Sequence, residues 1–136
     1  MKKKICIVLA NYYPDISKNL LNGALKSLKK KGFNNCKVIS SPGVFEIPII
    51  ISRNIKYYDA FIALGCVIKG ETPHFHYISK SSINGIMNLS ISNKKPIGNG
   101  IITCLNYKQA IARANPKNKD KGGEAAKAII SVLSVK

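Results

Sequence analysis

The 136 residues predict a three-layer α/β sandwich built on a four-stranded parallel sheet. Short, continuous β-branched runs suit strands covered on both faces, and the segments between them carry apolar residues at helical spacing. Connectivity supplies a third observation. Parallel neighbours need a crossover, and the crossover is normally a helix on a right-handed path.

The elements follow in order. "KICIVLA" at 4–10 is a buried first strand. From Ser17 the period changes: Leu20, Leu21, Ala24, Leu25 and Leu28 share a helical face, with Ser17 the expected N-cap and Gly32 the expected stop. "CKVIS" is a second strand, and "SPG" turns the chain into "EIPIIISRNI", where Glu46 and Pro48 suit the first turn of a helix. "DAFIALGCVI" is a third strand ending at the Gly70 turn. Thr72 is the expected cap and Pro73 the first residue of a helix whose inner face holds Phe75, Ile78, Ser82, Ile86 and Leu89. "KPIGNGIITCL" is the fourth strand, "NYKQAIARA" a short helix and "GEAAKAIISVLSV" a closing amphipathic one. With no repeat, linker or low-complexity segment, residues 1–136 are expected to form one domain.

Composition narrows the class. A chain this long buries about two thirds of its unfolded surface, and its 46% hydrophobic residues fall in runs too short to cross a membrane. The start "MKKKICIVLA" imitates a signal peptide, but its apolar run is short and no small-residue cleavage site follows. Cys6, Cys36, Cys66 and Cys104 are far apart and form no CxxC. They are expected to be packed thiols in a reducing cytoplasm, suggesting neither zinc nor disulfides.

The net charge of +16 invites a nucleic-acid reading, which the details oppose. Only Arg53 and Arg113 are arginine, so the bidentate fork favoured for bases and phosphates is scarce, and the lysines are scattered without interleaved aromatics. A solvated lysine-rich surface is expected, with no nucleic-acid partner. Gly98, Gly100, Gly122 and Gly123 form neither a dinucleotide fingerprint nor a phosphate-binding loop motif.

In parallel sheets ligands gather beyond the carboxyl ends of the strands. The loops there are "NYYPD", "SPGVFE", "KGETPH" and "NYK". His74 and His76 are the only histidines, and His74 falls in the first turn of a helix, where the positive end of the dipole disfavours imidazolium and attracts an anion such as a phosphate. A neutral base beside a phosphorylated substrate is the chemistry this offers. His76, two residues on, points about 160° away, so the two do not make a metal site.

Phe45 and Glu46 reach the neighbouring strand end, where an aromatic lines a slot for a planar ring and a carboxylate accepts from a polyol. On the residues alone, a core phenylalanine and a helix-start glutamate are the simpler account, and Tyr12 and Tyr13 carry the same ambiguity. Arg113 and Lys121 offer a phosphate clamp, with solvated charge the default for the lysine.

Four motifs in order, "PGVFEIP", "ALGCVIKGETPHFHYI", "PIGNGIITCLNYKQAIARA" and "NKDKGGEAAKAI", make the chain resemble the 6,7-dimethyl-8-ribityllumazine synthase family over nearly its whole length. The resemblance implies a flavodoxin-like fold, pentamers with active sites at the seams between subunits, and further assembly into decamers or a sixty-subunit shell in some members. It implies condensation of 5-amino-6-(D-ribitylamino)uracil with 3,4-dihydroxy-2-butanone 4-phosphate, losing phosphate and water, without metal or organic cofactor.

Carried over to matching positions, His74 transfers protons and Tyr12 stacks on the pyrimidine. Val44, Phe45 and Glu46 line the pyrimidine and ribityl pocket, and Cys66, Val67 and Ile68 meet the heterocycle largely through backbone. Glu71 and Thr72 hold the phosphate end, while Asn99, Arg113 and Lys121 arrive from the adjacent subunit, with Arg113 on the phosphate. Four positions depart from the commoner pattern: Asn11 for arginine, Tyr12 for phenylalanine, His76 for an acid and Asn99 for phenylalanine. Tyr12 keeps a stacking face, whereas Asn99 lacks one.

Overall fold

A computed structural model of the chain describes residues 2–135. The run Ile5–Ala10 becomes β1, all six of its residues buried, because helices cover both of its faces. The remaining elements are α1 (Pro14–Lys30), β2 (Cys36–Ser41), a 3₁₀ turn (Val44–Glu46) leading into α2 (Ile47–Asn54), β3 (Ala60–Ile68), α3 (His74–Asn93), β4 (Ile97–Cys104), α4 (Tyr107–Ala114) and α5 (Lys121–Leu133).

The sheet is parallel throughout, in the order β2-β1-β3-β4. Ile5 pairs with Cys36 on one side and Ala60 on the other, and Phe61 of β3 pairs with Ile97 of β4. This is the expected three-layer, flavodoxin-like arrangement. Side chains alternate strictly across it. Ile5, Ile7, Leu9, Ile62 and Leu64 pack on Leu20, Ala24, Leu28 and Ile129 of α1 and α5, whereas Cys6, Val8, Phe61 and Ala63 pack on Ile47, Ile51 and Ile86 of α2 and α3.

Helix starts differ from expectation. α1 begins at Pro14, whose ring pre-sets the helical φ, with Asp15 in the first turn facing the positive dipole. Ser17 therefore lies inside the helix, buried, and its hydroxyl donates to the Ala10 carbonyl at 2.9 Å instead of capping. Gly32 does end the turn after α1, at φ +82°. α3 begins at His74, with Pro73 in the capping position and Thr72 Oγ1 accepting from the His74 N–H at 3.4 Å. Lys121 opens α5 rather than belonging to the preceding loop, and Asp120 caps that helix by accepting from the Gly123 N–H at 3.2 Å.

The two helical layers are not equally complete. Ile49, Tyr77, Met87 and Ile91, all on α2 or α3, remain more than half exposed. No helix among the described residues is long and apolar enough to cross a membrane.

Candidate active site

Because β1 is central, the chain leaves it for β2 on one side and returns to β3 on the other, and the loops after β1 and β3 diverge to opposite faces of the sheet. A crevice must open between them, at the carboxyl ends of the strands. It is there, as a cavity of about 600 Å³ lined by Tyr12, Tyr13, Pro42, Gly43, Val44, Phe45, Glu46, Cys66, Val67, Ile68, His74 and Ile78. That volume suits a small organic ligand.

Each wall has a local cause. The β2 loop is held by the Ser41 hydroxyl, which donates to the Gly43 carbonyl at 2.6 Å, and by Ser82 of α3, whose hydroxyl donates to the Val44 carbonyl at 3.3 Å. Behind it lies Gly65 of β3, where a Cβ would stand 2.7 Å from Val44 Cγ2 and 3.1 Å from Ala10 Cβ. Glycine is needed there because the loop rests directly on the strand backbone. Val44 is thereby buried, leaving Phe45 exposed and Glu46 half-buried as the face offered to a ligand.

The opposite wall is aromatic. Tyr12 is 71% exposed and meets Tyr13 edge to face at 4.9 Å, and Tyr13 in turn meets Tyr107 at 6.4 Å. Burial, followed by the nearby Cys66 and Tyr12, raises the Tyr13 phenol, which therefore remains protonated at neutral pH. The floor is the end of β3. Burial, reinforced by Cys104, pushes the Cys66 thiol up to about 12, so it is a neutral, unreactive surface and not a nucleophile. His74, the first residue of α3, stands exposed on the rim. His76 lies outside the lining with its ring against Phe75 at 5.1 Å.

Eight of the thirteen residues singled out in the sequence thus share one cavity: Tyr12, Val44, Phe45, Glu46, Cys66, Val67, Ile68 and His74. Glu71, Thr72, Asn99, Arg113 and Lys121 are outside its lining. Asn99 is exposed on the edge strand β4, and its side-chain oxygen accepts from the Ile101 N–H at 3.1 Å. Arg113 Nη1 donates to the Thr103 carbonyl at 2.9 Å and lies 3.7 Å from Cys104 Sγ. Lys121 pairs with Glu124 at 3.3 Å. Tyr13, left open beside Tyr12 in the sequence, joins the lining, and three further lining residues were not singled out: Pro42, Gly43 and Ile78. Ile78 had a legible signal, since it lies one helical turn beyond His74 and so above the same opening.

Residues 2–136 match the family model described as 6,7-dimethyl-8-ribityllumazine synthase. The chain is 44% identical to 6,7-dimethyl-8-ribityllumazine synthase 1 of Rhodopseudomonas palustris, over 98% of this chain and 85% of that protein. It is 43% identical to the Zymomonas mobilis protein named 6,7-dimethyl-8-ribityllumazine synthase, over 98% and 96% of the two chains, and 45% identical to the one from Buchnera aphidicola, over 98% and 87%.

Proposed function

The chain belongs to the 6,7-dimethyl-8-ribityllumazine synthase family of riboflavin-biosynthetic enzymes, and on that premise we propose that it condenses 5-amino-6-(D-ribitylamino)uracil with 3,4-dihydroxy-2-butanone 4-phosphate. The observation that carries the reading is a histidine at a helix start on the rim of a cavity that also presents a tyrosine ring, a phenylalanine ring and a glutamate.

In this reading Tyr12 and Phe45 flank the pyrimidine, and Glu46 accepts hydrogen bonds from ribityl hydroxyls. The end of β3, from Cys66 to Ile68, meets the ring edge. Its raised thiol suits that place, because a neutral sulfhydryl does not compete with the substrate amine for the ketone. The pyrimidine amine attacks the ketone and loses water to give an imine. Phosphate then leaves from the adjacent carbon skeleton, and the ribitylamino nitrogen closes the second ring with loss of a second water.

His74, the first residue of α3, relays protons in these steps. Holding two mutually reactive groups together supplies much of the acceleration, which is why a modest set of side chains suffices. Glu71 and Thr72 serve the phosphate end.

Asn99, Arg113 and Lys121 complete the site from a neighbouring copy in a homopentamer. Two features support this part of the reading: those residues lie outside the single chain's cavity, and α2 and α3 expose Ile49, Tyr77, Met87 and Ile91 to whatever packs beside them. The protein acts as one domain spanning 1–136, in the cytoplasm.

The test is direct. Purified protein given both substrates should release phosphate and form a product absorbing in the visible, and light scattering should give at least five copies per particle. Folded protein that binds the pyrimidine without turnover would replace the enzyme with a binding module.

A further inference from the structure

A second cavity, of about 530 Å³, opens at the opposite end of the sheet, where β1 and β2 begin and the Ile5 N–H donates to the Asn35 carbonyl at 3.1 Å. Its lining comes from two separate segments. Lys2 and Lys3 arrive from the start of the chain, and Lys31, Gly32, Phe33, Asn34 and Asn35 from the turn between α1 and β2. We infer that this cavity binds a multivalent phosphate anion, its negative charges met by Lys2, Lys3 and Lys31 and its oxygens by the amides of Asn34 and Asn35.

Three lysines share one concavity, and no carboxylate lines it. Among the described residues the one salt bridge is Lys121–Glu124, far along the chain, and the nearby Asp59 is engaged by the Lys4 backbone N–H at 2.7 Å. An anion seated there meets three lysines with no carboxylate in the lining to compete for them.

A competing account, that they serve the negative end of the α1 dipole, explains less. The last carbonyls of α1 already accept from the N–H groups of Lys31, Gly32 and Phe33 at 2.9–3.1 Å, and Lys29 and Lys30 occupy its final turn. Neither fact accounts for Lys2 and Lys3. Lysine meets phosphate as a point charge without a fixed fork, which suits a flexible chain of phosphates better than a planar carboxylate. The volume approaches that of the active-site cavity, so a triphosphate fits where a lone phosphate would leave ammonium groups unmet.

Inorganic tripolyphosphate is the probe, titrated by calorimetry into the whole assembled protein. Saturable binding at one per chain is expected. The combined variant Lys2→Ala/Lys3→Ala/Lys31→Ala should weaken it by up to about five-fold per ammonium, roughly a hundred-fold in all. A control removing three exposed lysines elsewhere, Lys18→Ala/Lys26→Ala/Lys127→Ala, lowers the total charge equally and should leave it within about three-fold of the parent. A nucleoside triphosphate in the same titration separates the two sources of such a tail: tighter binding assigns Phe33 to the base, and equal binding assigns the tail alone. Absence of saturable binding, full binding by the first variant, or equal losses in both would each overturn the inference.

Discussion

Gly65→Ala tests whether the active-site wall is set by close contact with the central strand. The added methyl would lie 2.7 Å from Val44 Cγ2, 3.1 Å from Ala10 Cβ and 3.6 Å from Ile47 Cδ1. Carbons rest at about 3.5–4.0 Å, so Val44 must retreat by roughly 1 Å. The strand itself cannot yield, because β3 is hydrogen-bonded between β1 and β4, with Gly65 in register with Ile101.

Val44 yields only at a cost, since its carbonyl accepts from Ser82 of α3. Overpacking of this kind costs about 1–3 kcal/mol, which for a chain of this size lowers the melting temperature by roughly 3–10 °C. A wall displaced by about 1 Å carries Phe45 and Glu46 with it and should reduce kcat/KM by up to about 10²-fold. Thermal denaturation followed by circular dichroism, beside steady-state formation of the coloured product, reads both effects. Adding Val44→Ala should restore part of each, because it removes the opposing methyl groups. A Gly65→Ala protein with parental melting temperature and kcat/KM would refute the account of this wall.

His74→Ala should lower kcat by about 10²–10⁴-fold while leaving circular dichroism and particle size unchanged; parental kinetics would remove the assigned base. Arg113→Ala should raise KM for the phosphorylated ketone more than for the pyrimidine, and equal rises would deny it the phosphate. The same change removes the bond to the Thr103 carbonyl, at a stability cost of about 1 kcal/mol. Alkaline pH should destabilise the fold. Burial, followed by Cys36, raises the Cys6 thiol from its usual 9.0 to about 11, so the native state keeps a proton that the unfolded chain loses. This contribution is fully present below pH 9 and is lost as pH rises toward 11. Melting temperatures across that window should fall less steeply for Cys6→Ala than for the parent, and parallel curves would contradict the shift.

The strands were legible because a parallel sheet buries both faces, leaving continuous β-branched runs such as Ile5–Ala10 with no competing period. Helix starts were less so. A serine preceding an apolar face looks like a cap, yet the Ser17 hydroxyl finds its partner in the Ala10 carbonyl, a contact visible only once β1 and α1 are folded together. The cavity followed from topology, which located the loops holding His74 and Glu46 before any side chain was placed. Tyr13 could not be resolved from Tyr12 by sequence, since adjacent aromatics in a turn give no sign of which faces the core. Here Tyr13 is half-buried against the core while Tyr12 stays exposed, and both reach the opening. Asn99 had no local signal for the site beyond family likeness, and Arg113 and Lys121 offered only their charge; a single chain brings none of the three to the cavity.

The unequal layers bear on how assembly and chemistry are related. The face covered by α1, α4 and α5 is packed on the sheet by small and aliphatic residues, among them Ala110, Ala114, Ala126 and Ile129, each no more than 1% exposed. Among the described residues only Val132 of its large apolar helix residues is more than half exposed. On the other face α3 contributes only Ser82 and Ile86 to the fully buried set over its 20 residues. A helix this long, carrying exposed Tyr77, Met87 and Ile91, has more apolar surface than one chain can cover. His74 opens that same helix, and Ser82 within it fixes the Val44 wall. Any neighbour that packs along α3 therefore presses on the element that positions both the base and one side of the pocket. In the proposed pentamer, subunit contact would steady the catalytic geometry as well as supply the missing phosphate ligands, so any change along α3 that breaks association should lower turnover with it.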